Sequence, residues 1–190
     1  MRDEESRNAT IVCGSPGAGK STYGKILAKK LQAAFIDIDT ATERLVRLSL
    51  SLSGHDPDDR DSTFFKNNFR QPVYDQLFDI ARENLTQIDV VIAGPFTKEL
   101  RDTKWPEKLE SLLKASVEIH YIYCNPDVRK KRMLQRANPR DTGKFANWHT
   151  LNTYYDDEKP PLFKHILVDN SKELEKITEE VRTGIRKKLT

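Results

Sequence analysis

Gly14, Gly19, Lys20 and Ser21 stand in the register G-x-x-x-x-G-K-[ST], inside the stretch Ile11-Val12-Cys13-Gly14-Ser15-Pro16-Gly17-Ala18-Gly19-Lys20-Ser21-Thr22. These residue types at this spacing suit the capture of phosphate. Glycines at 14, 17 and 19 let the backbone turn tightly and aim successive N–H groups inward, and the positive end of a following helix continues the concavity. Lys20 is then expected to reach β- and γ-phosphates, and the Ser21 hydroxyl to ligate Mg²⁺. The stretch Gly14, Ser15, Pro16, Gly17, Ala18, Gly19, Lys20, Ser21 and Thr22 therefore reads as a nucleoside triphosphate site, with ATP the expected nucleotide. A glycine-rich turn can match such a pattern by chance. The context argues against chance: the apolar run Thr10–Cys13 precedes it as a buried strand, and Tyr23, Ile26, Leu27 and Leu31 follow at i, i+3, i+4 and i+8, an apolar helix stripe.

Two further groups carry chemistry. The run Ala34–Asp39 reads as a second strand ending in Asp37-Ile38-Asp39, and strand alternation places both carboxylates on one side of it. In an open α/β sheet ligands bind outside the carboxyl ends of the strands. One of these carboxylates can hold the Mg²⁺ shell while the other orients and deprotonates an acceptor hydroxyl, the base role of phosphoryl transfer. The competing structural reading makes Asp39 the cap of a helix starting at Thr40. The other group is a basic cluster in which Arg129, Arg132 and Arg136 fall at i, i+3 and i+7 on one helix face, with Arg140 after the Asn138-Pro139 break. Forked guanidinium groups suit the charge that spreads over a transferring phosphoryl group. Ala137–Asn147, interrupted by Asn138-Pro139 and Gly143, is expected to form a lid that swings arginines in and excludes water. A solvated helix face is the expectation for Arg129, Lys130 and Lys131, and a functional one for Arg132, Arg136 and Arg140. A nucleic-acid patch is disfavoured because aromatics do not interleave the cluster.

The elements needed to position these residues follow from the rest of the chain. Short apolar runs alternate with amphipathic segments, the pattern of a parallel sheet covered by helices on both faces. A helix is expected from about Thr40 with Leu45, Leu48 and Leu52 on one face, then an acidic loop at Gly54–Asp61. Ser62–Thr86 reads as helical, with Val73, Leu77, Ile80 and Leu85 near helical spacing and Pro72 starting a new helix or kinking the old one. Asp89–Gly94, Val117–Cys124 and His165–Val168 complete five strands. Helices are expected near Pro106, after Asn125-Pro126 as cap and first position, and after Asn170 with Leu174, Ile177, Val181 and Ile185 inward. At 190 residues, 37% hydrophobic and 32% charged, the chain suits one domain with a sizeable core. No apolar run approaches the length of about 18 residues that a membrane span needs, so a cytoplasmic protein is the default expectation. Cys13 and Cys124 read as small core residues. A net charge of +3 gives no ground for a nucleic-acid partner.

The strands Val90–Gly94 and Val117–Cys124 end without the acidic pair that motor ATPases place there, and no Asn-Lys-x-Asp guanine-reading motif occurs. A GTPase switch or mechanochemical ATPase is therefore disfavoured. In layout and in the motifs Gly14–Ser21, Asp37-Ile38-Asp39 and the arginines before the lid, the chain resembles the small P-loop kinases of the adenylate-kinase-like superfamily. That group includes shikimate and gluconate kinases, chloramphenicol phosphotransferase, zeta toxins and polynucleotide kinase. The resemblance implies a three-layer α/β fold with a five-stranded parallel sheet in the order 2-3-1-4-5, and ATP- and Mg²⁺-dependent phosphorylation of a hydroxyl. It implies further that Asp39 is the catalytic base, that Asp37 lies near the metal, and that Arg132 and Arg136 touch the ATP phosphates or stack on adenine. Ile36-Asp37-Ile38-Asp39-Thr40 resembles the zeta toxins in particular, which phosphorylate a sugar nucleotide. The acceptor, a small molecule or nucleotide-like compound, is expected to bind in a cap at Thr40–Thr86. Arg44, Arg47, Arg60 and Arg70 there hint at an anionic acceptor, whereas Phe64, Phe65 and Phe69 are expected in the core. A nucleic-acid 5′-kinase and an ATP-binding regulatory protein without phosphate transfer are the alternatives.

Overall fold

The alternating pattern folds into a parallel sheet of five strands: β1 (Asn8–Cys13), β2 (Ala34–Asp37), β3 (Val90–Ala93), β4 (Ser116–Tyr123) and β5 (Ile166–Asp169). Their order is β2-β3-β1-β4-β5, and every pairing is parallel, with Ile11 opposite Ile92 on one side and Ile119 on the other. The computed structural model describes residues 7–138, 141, 145, 148 and 159–171. The helices are α1 (Lys20–Leu31), α2 (Ile38–Leu52), α3 (Thr63–Asn68), α4 (Arg70–Leu85), α5 (Trp105–Leu113) and α6 (Pro126–Arg136). Strand β1 is central and buried on both faces, so its side chains feed two cores. On one face Ile11, Ile92 and Ile119 pack against Tyr74, Leu77 and Ala81 of α4 and Trp105 and Leu109 of α5. On the other, Val12, Val91 and Ile122 pack against Tyr23, Leu27 and Ala28 of α1. This makes three layers and brings the carboxyl ends of β1, β2 and β3 together at one edge.

Local signals set most boundaries. Asn125 caps α6, its side chain accepting from the Asp127 N–H at 2.9 Å, and Pro126 stands at the first helical position, where the missing N–H costs nothing. Ser62 caps α3 in the same way by accepting from the Phe65 N–H. Pro72 begins a helix and does not kink one, because α4 opens at Arg70 and Pro72 falls in its first turn.

Which stripe of a helix faces inward was harder to read. On α2 the face Leu45, Leu48, Leu52 is 71%, 57% and 79% exposed, and Thr42, Val46 and Leu50 are buried in its place against α4 and β2. On α4 the buried set is Tyr74, Leu77, Ala81 and Leu85, and Val73 and Ile80 are only partly covered. Leu31 ends α1 exposed, while Gly24 is buried because a Cβ there would meet the Phe35 ring at 2.5 Å. Phe64, Phe65 and Phe69 are all outside the core: α3 buries none of its residues, and Phe64 stacks on His55 with ring centroids 3.7 Å apart. Cys13 and Cys124 are buried as expected. The expected helix after Asn170 lies outside the described residues.

Candidate active site

The loop between β1 and α1 closes as its sequence requires. Gly14 has φ +133° and lies against β4, where a Cβ would strike the Ile122 carbonyl oxygen; Gly19 has φ +96° and faces the Asn170 side chain. The Ala18 N–H donates to the Ser15 carbonyl at 3.2 Å, which tightens the turn ahead of α1. The Lys20 ammonium folds back over the loop and donates to the Ser15 carbonyl at 2.8 Å. Burial is the main influence on this ammonium and lowers its pKa to about 8, with the Asp39 carboxylate opposing the shift and the Arg136 guanidinium adding to it. Asn170, just past β5, was missed as a site residue. Its side-chain amide donates to the Ala18 carbonyl at 2.6 Å and its backbone carbonyl accepts from Arg132 at 2.8 Å, so it ties the loop to β5 and α6. Only tertiary structure brings positions so far apart together.

At the end of β2 the two carboxylates differ from the expectation. The strand stops at Asp37, and Asp39 lies in the first turn of α2, so strand alternation does not relate them. Asp37 is the helix cap, not Asp39: its Oδ1 accepts from the Asp39 and Thr40 N–H groups at 3.0 and 3.2 Å. Its Oδ2 accepts from the Ser21 hydroxyl at 2.6 Å. That pairing puts one carboxylate and one hydroxyl side by side at the mouth of the phosphate loop, oxygen donors of the kind a hard divalent cation takes. Asp39 projects from the exposed start of α2 into the same cleft.

The cleft has a volume of about 430 Å³. One wall is the loop with Lys20, Ser21 and Thr22; the floor includes Gly94, Pro95 and Thr97 beyond β3; Arg132, Arg136 and Asp141 close one side. The other lobe is built by α2, α3 and α4 through Thr42, Phe65, Arg70 and Tyr74, together with Arg60 from the loop ahead of α3. Arg60 lies over the Phe65 ring at 5.4 Å, and Arg70 lies over Tyr74 at 5.3 Å while pairing with Glu99 at 2.9 Å. Of the arginines noted for this region, Arg60 and Arg70 thus reach the cleft, whereas Arg47 pairs with Asp58 and Arg44 is exposed. Arg136 donates two hydrogen bonds to the Asp141 carboxylate, at 2.7 and 2.9 Å, and Asp141 is almost fully buried. Asp141 is a second residue that sequence reasoning missed, because a carboxylate beyond a Pro break gives no periodic signal. Arg129 is not on a solvated face: it is fully buried, its stem packed against Gly17 and its guanidinium over Trp148 at 5.4 Å. Arg140 and most of the expected lid at 137–147 lie outside the described residues.

A parallel 2-3-1-4-5 sheet with a Gly14–Ser21 loop after its central strand defines a P-loop nucleotide-binding domain of the kinase type. A sequence profile of the family described as AAA domain matches residues 10–161, and the chain belongs to that family. A shikimate kinase of Oceanobacillus iheyensis is 27% identical over 157 residues, which span 82% of this chain and 76% of that one. An adenylate kinase of Rickettsia peacockii is 25% identical over 153 residues, spanning 77% of this chain and 66% of that one. A solved gluconokinase of Sinorhizobium meliloti shares the fold with a TM-score of 0.57 at 19% identity, over 96% of this chain and 93% of its own. The protein is a P-loop kinase of the adenylate-kinase-like superfamily, a phosphotransferase of the small-molecule and nucleotide type. Among the described residues no helix is long and apolar enough to cross a membrane.

Proposed function

We propose that this kinase moves the γ-phosphate of ATP to a hydroxyl of a small-molecule or nucleotide-like acceptor. The observation that carries this reading is the convergence in one cleft of the phosphate loop, the Ser21–Asp37 pair and the Asp39 carboxylate, beside a lobe of cationic and aromatic side chains. Residues 14–22 hold the triphosphate through backbone N–H groups, and Lys20 exchanges its Ser15 contact for phosphate oxygens. Ser21 and Asp37 fit the inner and outer sphere of a Mg²⁺ ion, which when bound neutralises phosphate charge. Asp39 accepts the acceptor's hydroxyl proton as the oxygen attacks. Arg132 and Arg136 supply charge to the transferring group from the side, with Arg140 as a further arginine of the lid. Catalysis on this account is positioning and charge stabilisation, and the region about 40–86 selects the acceptor within a single domain. Arg60 and Arg70, each over a ring face, suit an acceptor with an anionic or planar part.

The test is Mg²⁺-dependent ATP consumption by the purified protein against pooled sugars, nucleosides, sugar nucleotides, antibiotics and a 5′-hydroxyl oligonucleotide. One pool should raise turnover. Asp39→Asn should lower that turnover by about 10²-fold or more while leaving nucleotide affinity nearly unchanged. Equal loss of nucleotide binding and turnover in Asp39→Asn would make the residue structural and remove the base from this scheme.

A further inference from the structure

Helix α2 carries two stripes. Thr42, Val46 and Leu50, four apart, are buried, and Thr42 and Val46 reach the cleft. Ile38, Ala41, Leu45, Leu48 and Leu52 form the second stripe, spaced alternately three and four apart, which is the repeat of a seam that another helix packs against. Ile38 and Ala41 pack against the core, whereas Leu45, Leu48 and Leu52 are exposed and together present about two whole leucine side chains to water. Leu45 and Leu48 are i, i+3 neighbours and Leu48 and Leu52 are i, i+4 neighbours, so the three make one ridge and are not leucines scattered singly. Ser49 and Ser51 flank its C-terminal half without charge, in keeping with the depletion of charged residues at the centre of an interface.

Charge is ordered along the ridge. Arg44, exposed, stands at its N-terminal end. Beyond its C-terminal end the chain turns through Asp56, Asp58, Asp59 and Asp61; Asp58 pairs with Arg47 of its own helix, and Asp56 and Asp61 are exposed. A second copy of α2 laid parallel would set Arg44 beside Arg44. Laid antiparallel, it sets Arg44 beside the acidic turn of the partner and opposes the two helix dipoles. The ridge is thus self-complementary about a twofold axis, the symmetry of most homodimers. We propose that α2 is the interface of a homodimer, in which the Leu45, Leu48 and Leu52 ridges of two copies pack antiparallel with Arg44 of each beside Asp56 of the other. A contact confined to one helix of 15 residues, about 22 Å long, belongs with the weak interfaces, so a dissociation constant on the order of 10–100 µM is expected. Asp39, Thr42 and Val46 stand on the same helix, and pairing therefore steadies the wall of the cleft that they line. The proposal does not depend on the transfer reading.

The experiment is sedimentation equilibrium of the full chain from about 5 to about 500 µM. Wild type should pass from monomer to dimer across that range. Leu48→Gln combined with Leu52→Gln, which keeps helix propensity nearly constant, should raise the dissociation constant at least tenfold. Its urea midpoint, measured at about 2 µM where wild type is monomeric, should match that of wild type, because the leucines are exposed in the monomer. Arg44→Glu should weaken the dimer about fivefold, and adding Asp56→Lys should restore it. A chain that stays monomeric at about 500 µM overturns the proposal and leaves the ridge to a different protein. A dimer that survives the double leucine variant overturns it by placing the contact on another face. A lowered urea midpoint in that variant overturns it as well, by showing the ridge covered within the monomer. Failure of the charge exchange to restore pairing overturns the antiparallel arrangement.

Discussion

Because burial holds the free Lys20 ammonium at a pKa of about 8, nucleotide binding should draw a proton from solution. The opposing phosphate charge restores the charged form, since an anion within a few ångströms raises an ammonium pKa by about 1–3 units. With a bound pKa near 10, uptake is about 0.1 proton at pH 7, about 0.5 at pH 8 and about 0.8 at pH 9. Affinity for Mg²⁺·ADP should accordingly fall about tenfold between pH 7 and pH 9. Calorimetry at fixed pH in buffers of different ionisation enthalpy reads the uptake directly as the slope of apparent binding enthalpy against buffer enthalpy. Lys20→Met should abolish the slope at pH 8 and pH 9 and weaken binding at every pH. In the unliganded protein the sign is the reverse of the usual salt-bridge case. The unfolded chain holds this proton more tightly than the folded one, so stability rises from about pH 8 toward about 10.5, by about 3 kcal/mol in the difference between wild type and Lys20→Met. A slope of zero at pH 8 and pH 9, or a slope that survives in Lys20→Met, would refute the placement of the lysine in a desolvated loop that nucleotide phosphates re-charge.

Other substitutions probe the scaffold and the arginines. Gly14→Ala combines a left-handed backbone with a collision at the Ile122 carbonyl, so urea unfolding should show a loss of about 2–4 kcal/mol. Arg136→Gln should lower kcat by about 10²–10³ and change the KM for ATP much less, as measured once an acceptor is in hand; a loss confined to KM would place the residue in ground-state binding. Leu77→Ala, in the fully buried face of α4, should cost about 2–5 kcal/mol. Leu52→Ala, on the exposed face of α2, should stay within about 0.5 kcal/mol, and a large loss there would show that the leucine face is covered in solution.

The limits of the sequence reading show in particular residues. The loop Gly14–Ser21 was legible because its chemistry is contiguous: glycine freedom, one lysine and one hydroxyl act within a single turn. Asn125-Pro126 was legible for the same reason, a cap being a bond between neighbours. The inward faces of α1, α2 and α4 were less so. Leu45, Leu48 and Leu52 have helical spacing, yet so do Thr42, Val46 and Leu50, and the choice between them depends on where β2 and α4 lie. Asp37 and Asp39 were named together, but the strand ended two residues earlier than expected, so capping fell to Asp37, and Asp39 came to the cleft on a helix.

By itself, the sequence determined that a phosphate-binding loop follows a buried strand, that parallel strands alternate with helices, and that two acidic residues stand where the second strand gives way to a helix. Each of these is a local matter of backbone freedom, periodicity and side-chain type. Tertiary structure alone decided that Asn170 bonds the Ala18 carbonyl and Arg132 across the sheet, that Asp141 holds Arg136, and that Arg129 is buried under the loop. Those partners are distant in the chain, and packing of the layers fixes their approach, which no spacing of residue types encodes.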